Sequence, residues 1–519
     1  MELCSSKQPS TTTLSITSFI FFFLLLSLPH STSASSPNNF VGSSLRVSPT
    51  KFSNSANEVK TVLQKVTSIL STFTYTFSHH SNAISDCLDL LDMSSDQLSW
   101  SVSATQNPKG KNNSTGNLSS DLRTWLSAVL VNTDTCLEGL QGLQSTFAKS
   151  DVSSGLDRVL SLVKKNLFEV VLSNDQLATA TSEDRFPSWI NDGDKKFFEA
   201  NETTADAIVA ADGSGNYTTV MDAVLAAPKF SMRRYVIYVK KGVYVENVEI
   251  DRKKWNIMMI GEGMDATIIS GSRNRVDGWT TFRSATFAVN GRGFIACNIS
   301  FQNTAGPEKE QAVALRSDSD LSVFYRCGIF GYQDSLYTHT QRQFYKACKI
   351  TGTVDFIFGN GTVMFQNCEI LAKKGMQGQK NTVAAHGRTD PNVTTGFSFQ
   401  FCNISADFDL LPFIATIRTY LGRPWRPYSR TIFMQSYMSN AISPEGWLEY
   451  NGSVGLDTLY YSEYMNSGPG AGVANRVKWS GYHVMNDSSE AEKFTVAQFI
   501  LGDLWLPSAG VTYTAGLTV

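Results

Sequence analysis

The sequence predicts a chain of two unlike folds, an all-α four-helix bundle followed by an all-β parallel β-helix. Three observations carry this. Between about residues 54 and 172 the apolar residues recur with the period of a helix. From about residue 205 they give way to short runs rich in β-branched and aromatic residues, each closed by turn residues. The five cysteines of this second half each stand two residues before an isoleucine, at positions 297, 327, 348, 368 and 402. Intervals of this length between short strands are those of a solenoid, one unit per coil.

Length and composition set the frame. The 519 residues exceed one ordinary domain. A hydrophobic share of 42% excludes wholesale disorder. A formal net charge of −2 argues against nucleic acid as a partner. From Glu199 onward 29 Lys and Arg balance 29 Asp and Glu. Six His and eight Cys are few for a protein built around several metals.

The elements follow in order. Phe19 to Leu28 is apolar apart from Ser27 and is followed by small residues through Ala34. The run is short for a membrane span and reads as a signal peptide over residues 1–34, with an uncleaved anchor as the alternative. Secretion permits disulfides, and sequons at Asn112, Asn117, Asn216, Asn392 and Asn451 fit it. Four apolar stripes then mark the bundle, assigned to 50–175: Val59 to Phe73, Ile84 to Leu91, Leu118 to Val129 and Leu156 to Val170. Cys87 and Cys136 stand where they could pair across it. Residues 176–200 read as a linker, and 201–519 as the solenoid.

In the solenoid, Cys and Ile two apart share one strand face and would line the interior. Stacked coils lie ~4.8 Å apart, within the Cα window of a disulfide. Cys327, Cys348, Cys368 and Cys402 are therefore candidates for bridging, for example Cys368 with Cys402, although the connectivity stays open. The same stacking brings two acids together. Asp334 lies seven residues after Cys327, and Asp355 seven after Cys348. Two carboxyls on adjacent coils cannot both ionise freely, so one keeps a proton and the other stays charged. That divides a general acid/base from a nucleophile. Gln333 precedes Asp334 and Gln311 lies one coil earlier; neutral amides can donate to an oxyanion. Arg423 can orient a carboxylate, and Trp425 can stack on a sugar ring.

Gly242-Val-Tyr-Val-Glu246, Gln311-Ala-Val-Ala-Leu315, Gly331-Tyr-Gln-Asp-Ser-Leu-Tyr337, Gly352-Thr-Val-Asp-Phe-Ile-Phe-Gly359 and Leu421-Gly-Arg-Pro-Trp425 stand in order. They closely resemble the signature blocks of plant pectin methylesterases. The first half, through Cys87, Trp125-Leu-Ser-Ala128 and Asp134-Thr-Cys136, resembles the inhibitor-like pro-region of the longer members. The resemblance implies a right-handed parallel β-helix that hydrolyses the methyl esters of homogalacturonan in the cell wall. It implies Asp355 as nucleophile, Asp334 as acid and then base, and Gln311 and Gln333 as the oxyanion site. Arg423 would orient Asp355, and Trp425 would pack against the sugar. No metal or organic cofactor is implied. Partners would be pectin, the pro-region in cis and a proteinaceous inhibitor, with the enzyme a monomer in the apoplast.

Three features depart from the family pattern. The pro-region lacks the earlier cysteine pair. The processing site reads Lys195-Lys196-Phe197-Phe198, where two leucines usually follow the basic pair. His386 stands where Gln is more usual and reads as a polar groove or wall residue. Asn360 heads a sequon beside Asp355 and is expected to carry no glycan. Among rivals, a retaining glycosidase also needs two close carboxyls, but the flanking glutamines suit an acyl oxyanion better. The motifs of polygalacturonases and the acid cluster of a pectate lyase are missing, and no Gly-x-Ser-x-Gly elbow is present. A non-catalytic wall-binding or inhibitor protein remains the rival of another class.

Overall fold

The computed structural model describes residues 44–73, 81–107, 115–141, 146–171 and 205–518. The expected signal segment, Lys195, Lys196 and Asn112 lie outside these residues.

Four helices form the first part: α1 (Pro49–Phe73), α2 (Ser81–Gln106), α3 (Leu118–Leu140) and α4 (Thr146–Glu169). Each apolar stripe falls within one of them, except that Val170 lies one residue past the end of α4, in a bridge to Leu45. On α1 the stripe buries Val59, Leu63, Val66 and Leu70. The Asn117 side chain caps α3 by accepting from the Ser120 amide at 3.0 Å. Cys87 and Cys136 are bonded and tie α2 to α3. Helix α3 is buried almost all round, polar Arg123, Thr124 and Ser127 included. One side faces its sister helices and the other faces the solenoid.

The solenoid consists of three parallel sheets of 11, 8 and 7 strands. A representative coil gives Ser322–Tyr325 to the first, Gly328–Phe330 to the second and Leu336–Thr338 to the third. The next coil pairs with it in register through Ser322↔Gln343, Ile329↔Ile350 and Leu336↔Ile357. Side chains of one kind therefore stack inside. Ile329, Ile350, Ile370 and Ile404 form one column. Phe324, Tyr345, Phe365, Phe399 and Phe433 form a column of stacked rings with centroids 4.4 to 5.0 Å apart.

The cysteine column exists, but it does not bridge. Cys327, Cys348, Cys368 and Cys402 are free and buried, as is Cys297. In-register neighbours keep the ~4.8 Å strand spacing with parallel Cβ directions, whereas a disulfide draws the two Cβ atoms to about 3.8 Å. The thiols turn instead to backbone oxygens: Cys348 donates to Phe324 at 3.2 Å and Cys402 to Phe365 at 3.5 Å. Cys297 stands outside the column. It pairs with Tyr325, so Ile299 takes the place opposite Cys327. Before each column cysteine stands a residue in the left-handed region: Arg326, Ala347, Asn367 and Phe401, with φ from 51 to 55°. These residues turn the chain from the first sheet into the second.

No helix among the described residues is long and apolar enough to cross a membrane. Phe365 lies at the centre of the ring column with no exposure. Phe365→Ala should cost about 3–5 kcal/mol of unfolding free energy, read as a lower denaturation midpoint of the solenoid.

Candidate active site

The site lies where the chain turns from the eight-stranded into the seven-stranded sheet. Because Leu336 pairs with Ile357, the residues two places earlier, Asp334 and Asp355, lie side by side on adjacent coils. Both are in the left-handed region, with φ of 64° and 50°. A non-glycine residue there is uncommon and costs free energy that the surrounding framework must offset. That framework is visible. The Asp334 amide donates to the Val354 carbonyl at 3.1 Å, and the Asp355 amide to Thr382 Oγ1 at 2.8 Å. The Ala312 amide donates to the Gln333 carbonyl at 3.2 Å, linking the coils of the two glutamines.

The two carboxyls are treated differently. Arg423 grips Asp355 with both arms of its fork, Nε to Oδ1 at 2.8 Å and Nη2 to Oδ2 at 2.7 Å. The Thr382 hydroxyl adds a bond to Oδ1 at 2.7 Å. Such bidentate pairs fix both position and orientation. Asp334 forms no ion pair among the described residues. Burial holds its carboxyl well above the usual range, and the neighbouring Asp355 charge pushes it further; Arg423 and Arg275 oppose both effects. Both effects favour the protonated form of Asp334 beside the Asp355 carboxyl that Arg423 orients.

All six residues singled out from the sequence, Gln311, Gln333, Asp334, Asp355, Arg423 and Trp425, line one cavity of about 560 Å³. The Gln311 side chain leaves its Oε1 buried and unpartnered. Trp425 meets Phe358 edge-on, centroids 6.1 Å apart. Tyr450, which sequence reasoning did not single out, also lines the cavity and lies 4.6 Å from the Arg423 guanidinium. Among the described residues no His, Cys, Asp and Glu side chains gather as a metal site would require.

His386 is not a groove residue. It is fully buried, accepts the Arg430 amide at Nδ1 and packs edge-on against Phe397. Its place on an inward-facing strand position, with Phe358↔Ala385 and Gly359↔His386 pairing beside it, explains the difference. Asn360 is also buried, its Oδ1 accepting from Thr395 at 2.5 Å.

The second wall of the cavity belongs to the bundle. Asp86 on α2 and Thr135 and Glu138 on α3 line it together with the two aspartates. Asp86 pairs with Arg283 at 2.6 Å and accepts from Thr280 at 2.6 Å. Arg283 also holds Asp89; Arg252 holds Asp92 and Asp96; Arg426 holds Asp134 and Glu138. Sequence reasoning missed these contacts. The signal was present, because Asp86, Asp89, Asp92 and Asp96 recur at helical spacing on a segment with no Lys or Arg.

Stacked parallel coils with a paired-aspartate corner, one acid gripped by arginine and two amides alongside, define a solenoid with a carboxyl-lined cleft. The chain belongs to the pectinesterase family: the Pectinesterase family model matches residues 206–503. The model of the plant invertase/pectin methylesterase inhibitor matches residues 24–174. A pectinesterase/pectinesterase inhibitor of Prunus persica is 63% identical over 91% of this chain and 90% of its own. A probable pectinesterase/pectinesterase inhibitor of Arabidopsis thaliana is 56% identical over 96% and 98%. Among solved structures, the pectin methylesterase from carrot is 53% identical, covers 61% of this chain and all of its own, and superposes with a TM-score of 0.61.

Replacing the fork of Arg423 by the single point charge of lysine should leave Asp355 loosely aimed. Arg423→Lys is expected to lower kcat by about 10²-fold with a much smaller change in KM, measured by initial rates of methanol release.

Proposed function

We propose that the protein removes methyl groups from the galacturonate esters of pectin, giving pectate and methanol, through an acyl-enzyme on Asp355. The asymmetry of the two aspartates carries this reading: one carboxyl is oriented by Arg423, and burial and the neighbouring charge favour the protonated form of the other. An Asp355 oxygen attacks the ester carbonyl carbon. The oxyanion that forms is held by the Gln311 and Gln333 amides. The bond to the methoxy oxygen breaks, and the Asp334 proton passes to that oxygen, so methanol departs and an anhydride remains on Asp355. Asp334, now a carboxylate, takes a proton from water. The water oxygen attacks the galacturonate carbonyl of the anhydride, and Asp355 is released. Trp425 supports the sugar. Domain limits follow the sequence: a signal over 1–34, the bundle, a linker processed at Lys195-Lys196, and the solenoid. The enzyme acts as a secreted monomer in the apoplast, open to an inhibitor protein in trans.

The test separates methanol from new reducing ends. With methylated pectin, the wild type should release methanol without reducing ends. Asp355→Ala should lower methanol release by at least about 10⁴-fold while leaving thermal stability in place. Reducing ends without methanol would overturn the reading in favour of a glycosidase.

The bundle restrains this activity or aids folding until the linker is cut; the restraining role is supported by its helices walling the cleft. Asp86 makes that restraint pH-dependent. Burial raises its carboxyl from 3.8 to about 6 in the docked state, Asp89 adds to the rise, and Arg283, Thr280 and Arg316 oppose it. Docking therefore takes up a proton. It is strongest at pH values below the free carboxyl range and weakens as pH rises to about 6, by roughly 3 kcal/mol at most. In a chain cut within 172–204, the fraction of bundle that dissociates should grow between pH 4 and pH 6.5, as read by gel filtration. Asp86→Asn should flatten that dependence.

A further inference from the structure

Thr382 stands at the same place in its coil as Asp334 and Asp355 do in theirs. Ile357 pairs with Ala384, so Asp355, two places earlier, faces Thr382 on the next coil. The peptide of Thr382 is fastened on both sides of Asp355. Its amide donates to the Thr353 carbonyl at 3.1 Å, and its carbonyl accepts from the Phe356 amide at 3.2 Å. The side chain is fully buried, and a β-branched residue is stiff at χ1. Its hydroxyl is therefore fixed in place.

That hydroxyl has one proton, and the bonds around it show where the proton points. The Asp355 amide donates to Thr382 Oγ1 at 2.8 Å. An amide N–H can only donate, so the hydroxyl oxygen accepts there and gives its own proton to Asp355 Oδ1, 2.7 Å away. Oδ1 also accepts from Arg423 Nε at 2.8 Å. Among the described residues, Oδ2 accepts from Arg423 Nη2 alone, at 2.7 Å. A carboxylate oxygen offers two lone-pair sites. Both are taken on Oδ1, and one is left on Oδ2. The two oxygens of this carboxyl are chemically unequal, and Thr382 makes them so. We propose that Thr382 is a positioning residue for the ester reaction that reserves Asp355 Oδ2 as the attacking atom. The inference rests on the acyl-enzyme reading and deepens it. The free pair of Oδ2 forms the bond to the ester carbonyl carbon, and the carbonyl π pair moves onto the carbonyl oxygen. Oδ1 stays held by Thr382 and Arg423 throughout. The same hydroxyl ties the Asp355 backbone, at its φ of 50°, to the Asp355 carboxyl, so the two cannot reorient separately. Without it the carboxyl would rock on the Arg423 fork, and the buried Asp355 amide would lose its acceptor.

The experiment uses the folded chain cut within 172–204 and freed of its bundle. The relative from carrot, whose whole chain matches only 61% of this one, is a solved precedent for the solenoid standing alone. Initial rates of methanol release from methylated pectin are measured for the wild type, Thr382→Val and Thr382→Ser. Valine keeps the shape and removes the hydroxyl. Thr382→Val should lower kcat by about 10²-fold and leave KM within about threefold, because no substrate contact is lost. Serine keeps the hydroxyl and loses a buried methyl group. Thr382→Ser should hold kcat within about fivefold of the wild type, even where its thermal midpoint falls below that of the valine variant. Wild-type kcat in Thr382→Val overturns the proposal, as does a serine variant as slow as the valine one. A second measurement does not depend on the stability of either variant. Asp334→Asn leaves Thr382 and Arg423 in place and slows turnover. In its crystals, soaked with a methylated galacturonate oligomer, the ester carbonyl carbon should lie nearer to Asp355 Oδ2 than to Oδ1. A carbon nearer to Oδ1, or equally near to both, overturns the proposal. A wild type that releases no methanol overturns the esterase reading instead and leaves the inequality of the two oxygens standing.

Discussion

In-register stacking of parallel coils is the constraint on which everything else rests. A residue in one coil has its neighbours fixed by its counterparts one turn earlier and one turn later, as Ile329, Ile350, Ile370 and Ile404 show. Asp334 and Asp355 meet because each stands at the same place in successive coils. A slip of one residue would turn every side chain of a strand to the other face and separate the two acids. The rings inside the solenoid and the ladder bonds between coils therefore hold the geometry of the two acids as well as stability. They also offset two residues held at positive φ in a corner that an unconstrained chain would avoid.

The same stacking creates a second requirement. Strands of the seven-stranded sheet carry apolar side chains outward as well as inward, among them Ala288, Tyr337 and Phe358. An exposed apolar face of this kind calls for a cover, and the bundle supplies it. The seam is more than apolar. Arg342 reaches Asp320 on its own solenoid and Asp121 on α3 at 2.7 Å each, and Trp125 donates to Asp320 at 3.3 Å. All four residues are buried. Removing the bundle leaves the Arg342–Asp320 pair intact but open to water, so undocking does not strand a lone buried charge on the solenoid.

Much of this was legible in the sequence, for identifiable reasons. Helical stripes repeat every three or four residues, so Val59 to Leu70 declare their helix locally. The seven-residue interval from Cys327 to Asp334 and from Cys348 to Asp355 declares the dyad, because the repeat converts a sequence interval into a position in space. Cys297 misled because its distance to an isoleucine matched while its register did not; a bend after Cys297 sets it two residues out of the column. Bridging between Cys368 and Cys402 looked possible on Cα spacing alone, which ignores the direction of Cβ. The docking of α2 was not legible, because Asp86 and Arg283 are far apart in sequence and no repeat relates the two halves. Only the acids of α2 hinted that a cationic surface awaited them.

Overall neutrality of the solenoid concealed that surface. With 29 cations against 29 anions, bulk attraction for an acidic polymer is weak, and screening limits it to about 8 Å at physiological ionic strength. What matters at that range is arrangement. Three arginines, Arg252, Arg283 and Arg426, each answered by bundle carboxylates, present a local field that the net charge does not reveal. The pro-region's own acids mark where that field is strongest, since they lie within 4 Å of the guanidinium groups. A surface that must repel neither an uncharged ester nor its acidic product is better served by a few fixed cations beside the cleft than by a basic domain. A basic domain would retain pectate along its whole length and slow its release.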